Sequence, residues 1–124
     1  MLERIIEEFG HRLGMDGIRL DEKGLLVLDI DKIGRLHLEV DDIYTQKNLF
    51  IYLSLPYPSH DDNMPRKVLE FCNFEQGHAF PIKGGVHKGW VLLLTELKVS
   101  SANAALIENI VRELSELLAK IVQD

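Results

Sequence analysis

Hydrophobic and polar positions alternate with two different periods along this chain, and each change of period marks a boundary. Leu2, Ile5, Ile6, Phe9 and Leu13 recur at spacings of three and four, which predicts an amphipathic helix over the first fourteen residues. His11 and Arg12 fall in its last turn, where cations suit the dipole, and Gly14 is placed to stop it. The period then drops to two. GIRLD, LLVLDI after the turn Asp21-Glu22-Lys23-Gly24, RLHLEV, and NLFIYLSL after the polar loop DDIYTQK read as four strands of an antiparallel meander. PYPSHDDNMP is a loop by composition. Pro65 suits the first turn of a short helix, PRKVLEFCNF, with Val68, Leu69 and Cys72 on one side. A hairpin follows, HAFPIK and WVLLLTEL, joined around Gly84 and Gly85, and Pro81 assigns the first of these strands to an edge or a bulge. Ser100 or Ser101 is placed to cap a last helix whose stripe is Leu106, Ile107, Ile110, Val111, Leu114, Leu117, Leu118 and Ile121.

The predicted order is α-β-β-β-β-α-β-β-α. Helices and strands that do not alternate one for one indicate an α+β fold, here an antiparallel twisted sheet of five to six strands with N- and C-terminal helices and one short central helix. The 124 residues suit a single domain spanning 1–124. The strands are apolar on both sides. Leu26, Leu28 and Ile30 oppose Leu25 and Val27; Leu49, Ile51, Leu53 and Leu55 oppose Phe50 and Tyr52; Trp90, Leu92 and Leu94 oppose Val91, Leu93 and Leu97. A sheet with helices on one face and water on the other alternates more cleanly, so the surplus points either to cover by the chain's own helix or loop, or to a surface for a partner.

Composition narrows the partner. The formal charge of −6, with 14 Lys and Arg scattered along the chain, argues against nucleic acid, which requires a basic stripe. The N-terminal MLERIIEEFG is charged throughout and lacks the apolar core of a signal peptide, and no run approaches the ~20 apolar residues of a membrane span, so a soluble cytoplasmic protein is expected. A single cysteine, Cys72, has no internal disulfide partner.

Candidate chemistry is sparse. DIDKIGRLHLEV from Asp29 imitates a calcium loop, with Asp29, Asp31 and Gly34 in place, but its fifth and twelfth positions are Ile33 and Val40, and strand-like runs flank it. A turn, Asp31-Lys32-Ile33-Gly34, is the better reading. His11, His37, His60, His78 and His87 show no metal-ligand spacing. Gly84 and Gly85 before Lys88 do not form a phosphate loop. Asp41, Asp42, Asp61, Asp62, Ser100 and Ser101 form no catalytic signature. No enzyme, metal or cofactor is expected.

The order of motifs resembles the class I chaperones of bacterial type III secretion, related to the Tir chaperone. IIEEFGHRLGM followed by IRLDEKGLLVLDID is similar to that family's helix, FGxxLG turn and LDExG hairpin. RLHLEV and NLFIYLSLP are similar to its next strands, VLEFCNF to its short helix and GHAFPI to the following strand; the C-terminal helix completes the match. The chain departs from the pattern in its polar loop, in Pro81 and in lacking an aromatic residue in the last helix.

The resemblance implies a homodimer in the bacterial cytoplasm that holds the N-terminal segment of a secreted effector in extended form without ATP, with the secretion ATPase as a further partner. On this reading effector contact is expected from the exposed part of the first helix, Leu2, Ile5, Ile6 and Phe9, and from Leu25, Val27, Phe50 and Tyr52 on the sheet. The dimer contact is expected at Val68, Leu69, Cys72, Trp90 and Val91. The rival expectation is a small regulatory or adaptor module that binds a folded protein.

Overall fold

A computed structural model describes residues 2–41, 47–58, 62–73, 78 and 80–123. Asp42, His60 and Asp61, with parts of the loops around them, lie outside the described residues. Among the described residues the α-helices and strands run in the order α1 (Leu2–Arg12), β1 (Leu25–Ile30), β2 (Gly34–Asp41), β3 (Asn48–Pro56), α2 (Met64–Phe71), β4 (Lys83–His87), β5 (Trp90–Lys98) and α3 (Ala104–Gln123). The strands form one antiparallel sheet in the order β1-β2-β3-β5-β4, a five-stranded α+β architecture.

The expected strand GIRLD does not form. Gly17 turns the chain at φ 73°, and the Asp21 carboxylate accepts hydrogen bonds from the Lys23 and Leu25 backbone N–H groups. That turn delivers the chain straight into β1. Ile18 instead packs against Gly10 of α1, where an added Cβ would stand 2.9 Å from the Ile18 side chain. Ile18 and Leu20 are thus partly buried against the core without a neighbouring strand.

The second hairpin is displaced as well. Gly84 and Gly85 lie within β4, and the turn comes later, at Lys88 and Gly89, both with positive φ, as a tight two-residue hairpin demands. The expected strand HAFPIK yields only Lys83 to β4. Phe80, Pro81 and Ile82 run outside it, and Pro81 has no N–H with which to continue a ladder. The cap of α3 is Asn103 rather than a serine, its Oδ1 accepting the Leu106 N–H at 2.8 Å. Ser100 and Ser101 are consumed in a short 3₁₀ turn, Val99–Ser101.

All three helices pack on one face of the sheet. Leu28, Leu36, Leu38, Leu49, Ile51, Leu53, Val91 and Leu93 meet Ile107, Val111, Leu114, Leu118 and Ile121 of α3, Ile6 and Phe9 of α1, and Met64 and Val68 of α2 in a single core. Alternation along each strand therefore sends the remaining side chains to the opposite face.

Candidate functional site

Register fixes what that second face carries. Leu25, Glu39, Phe50 and Glu96 stand in one cross-strand row, and Val27, His37, Tyr52, Leu94 and Lys83 in the next. Asp29, Arg35, Ser54, Leu92 and Gly85 form a third, and Pro56, Trp90 and His87 close the end. No described helix lies over these rows. Val27 is 46% exposed, and Phe50, Tyr52, Leu92 and Leu94 are half-buried.

The side chains are arranged rather than splayed. The Phe50 and Tyr52 rings stack with centroids 6.4 Å apart, and Tyr52 meets the His37 ring edge-on at 6.2 Å. The Tyr52 hydroxyl donates to Glu39 Oε2 at 3.3 Å, and desolvation, reinforced by the Glu39 charge, pushes the phenol above its usual pKa. Arg35 donates from Nε to Asp29 Oδ1 at 2.8 Å, which holds that carboxyl below its ordinary value, and its guanidinium lies 5.0 Å over the Trp90 ring. The result is an apolar centre, Val27, Phe50, Tyr52, Leu92 and Leu94, flanked by paired charges.

Beside this face the sheet has an incomplete edge. β4 begins at Lys83, opposite Leu94, whereas β5 continues to Lys98. A groove of about 400 Å³ lies along that overhang, lined by Phe50, Pro81, Lys83 and Leu94 and by the strand from Thr95 to Lys98. Thr95 ties Pro81 to its wall, donating from Oγ1 to the Pro81 carbonyl at 2.8 Å.

The residues singled out in the sequence divide by location. Leu25, Val27, Phe50 and Tyr52 come together in adjoining rows of the open face. Ile6 and Phe9 are 0% exposed and belong to the core, so the expected exposed stripe of α1 narrows to the half-buried Leu2 and Ile5, on the helix side of the sheet. The five residues expected at a dimer contact do not form one patch. Val68 and Val91 are enclosed within the chain, Cys72 is half-buried between α2 and β4, and Trp90 lies on the open face under Arg35. Leu69 alone of the five projects from α2, 72% exposed.

Among the described residues no group of three or more histidine, cysteine, aspartate or glutamate side chains is placed to hold a metal ion. DIDKIG runs from the end of β1 through the β1–β2 turn into β2, with Lys32 at φ 66° and Gly34 at φ 134°. Among the described residues, too, no helix is long and apolar enough to cross a membrane.

The fold and its open face can be set beside known proteins. The family model of the Tir chaperone protein (CesT) family matches residues 4–121. The chain belongs to that family. Comparison with curated protein sequences gives no match. Among solved structures, the Yersinia pestis type III secretion chaperone SycH, in complex with a fragment of YscM2, is 18% identical with a TM-score of 0.69, over 98% of this chain and 99% of that one. A chain of the HopA1–SchA chaperone–effector complex is 19% identical with a TM-score of 0.68, over 97% and 89%. A chain of the ExsC–ExsE complex is 19% identical with a TM-score of 0.69, over 98% and 92%. At such identities the likeness establishes the fold, and this Tir-chaperone family member shares it along nearly its whole length.

Sequence reasoning left three contributors out of the site. Leu92 and Leu94 complete the apolar centre, and their alternation with Trp90 was the available signal. His37 stands in the middle row with an enclosed Nδ1, and nothing in its sequence context separates it from an ordinary surface histidine.

Proposed function

We propose that this chain is a cytoplasmic, homodimeric chaperone that holds the N-terminal segment of a secreted effector against the open sheet face, in extended form and without ATP. The observation that carries this reading is the uncovered apolar centre of the second face, in a chain of a chaperone family one of whose fold-mates was solved in a chaperone–effector complex. A lone folded protein gains nothing by leaving such a surface to water. At about 25 cal/mol per Å², covering a few hundred Å² contributes several kcal/mol. Ordering a flexible segment costs about 2 to 5 kcal/mol or more, so a wide contact is needed. The groove along the β5 overhang supports the extended form, because a strand laid there would meet main-chain groups that β4 does not reach. Selectivity then rests on the side chains of the rows beside it.

The dimer contact of this reading is the outer side of α2, centred on Leu69. The test of the effector surface is co-purification from bacteria that encode the chain, comparing it with Phe50→Ser/Tyr52→Ser. The unaltered protein should retain a secreted protein through its N-terminal segment, with or without nucleotide. The double variant should lose it while its thermal transition moves by only a few degrees. Undiminished retention by the variant would remove the effector from this face.

A further inference from the structure

On the open face Asp29, Arg35, Glu39, Tyr52 and Ser54 have hydrogen-bond partners, and His37 differs in burying a ring nitrogen without one. Its Nδ1 is enclosed and has no hydrogen-bond partner among the described residues. The ring sits in the middle row, with Val27 opposite it on β1 and Tyr52 opposite it on β3. The charged and titratable groups facing it are Asp29 on β1, Arg35 and Glu39 on its own strand, and Tyr52 on β3. Asp29 is engaged by Arg35, and Glu39 by the Tyr52 hydroxyl. Neither carboxylate takes a proton from Nδ1.

An uncharged imidazole leaves one weak polar atom unanswered here. An imidazolium would place a charged N–H in the same enclosed position with no acceptor, a far larger penalty. Burial, and then the Arg35 charge, accordingly lower the affinity of the ring for a proton, with Asp29 and Glu39 opposing.

We propose that His37 makes occupation of the open face pH-dependent: an apolar, extended segment docks over the Val27, His37 and Tyr52 row only while the imidazole is uncharged, and acid expels it. The inference takes only the identity of the docked segment from the chaperone reading above and adds a regulatory property to the same surface. A docked segment removes water from the rest of the ring, so the complex excludes a proton that the free protein accepts. By linkage, affinity is flat above the free protein's His37 pKa, itself below the ordinary value of about 6.5, and falls by about tenfold for each pH unit beneath it.

The probe is Nile red, an uncharged apolar dye, titrated into the full chain between about pH 8 and about pH 5. Carbon-detected NMR of the His37 ring in the free protein supplies its titration midpoint. The expected result is dye affinity that begins to fall at that midpoint with a slope approaching one. His37→Phe and His37→Gln should bind the dye with a flat profile, and Phe50→Ser/Tyr52→Ser should lose it, which locates the dye on this face. A flat profile in the unaltered protein, a slope that persists in both His37 variants or in the double variant, or no dye binding at any pH would overturn the proposal. Loss of the effector assignment alone, with the slope present, would leave it standing; effector retention with a flat dye profile would overturn it and spare the chaperone reading.

Discussion

At Gly84 the absence of a side chain lets α2 lie directly on β4. A Cβ there would stand 2.5 Å from Val68 Cγ1 and 2.7 Å from Cys72 Sγ, closer than packed atoms tolerate. Gly84→Val should therefore lower stability by about 1 to 3 kcal/mol through overpacking, read as a reduced urea midpoint with an unchanged slope. The same contact explains why burial pushes the Cys72 thiol above its usual pKa and why Cys72 with Val68 fills an internal seam. These facts were not legible in the sequence. A pair of glycines between two strands reads equally well as a turn or as a strand flattened under a helix, and only the position of α2 decides. Ile6 and Phe9 show the converse: their spacing correctly marked an apolar stripe, but a stripe does not say how much of it the core consumes.

Among the elements, α3 was the most legible, because seven residues of its 20 return to the core at helical spacing. Its start was not. Ser100, Ser101 and Asn103 are all competent caps, and the 3₁₀ turn that occupies the serines is a tertiary outcome. Asn103→Ala should cost about 1 kcal/mol by removing the acceptor for the Leu106 N–H, whereas Ser101→Ala should be close to neutral; paired thermal melts would separate them. The strands of the meander were readable as far as they had partners. β1, β2 and β3 fall close to their expected bounds, while GIRLD, with the same alternation, has no neighbour to pair with and folds into the Asp21 turn. Alternation records burial on one side, and a loop packed on a helix satisfies it as well as a strand does.

At the scale of the whole molecule, the described helices cover one side of the sheet and leave the other open. The excess of apolar positions was visible along the strands, and the register turns it into an ordered surface of Val27, Phe50, Tyr52, Leu92 and Leu94. What covers that surface was never written in a periodicity; it enters through membership of the Tir chaperone family and through the proposal built on it. Leu69, on the outer side of α2, belongs to the proposed dimer contact. Leu69→Glu should leave secondary structure intact and shift light scattering from a dimer to a single subunit. The most direct test of the central claim is hydroxyl-radical footprinting of the chain alone and with its captured effector, because aromatic side chains report their own access to solvent. The rates at Phe50 and Tyr52 should fall several-fold on complex formation while Tyr57, off the open face, stays unchanged. Unchanged rates at Phe50 and Tyr52 in a complex that has demonstrably formed would mean that the partner binds elsewhere and that the open face has some other purpose.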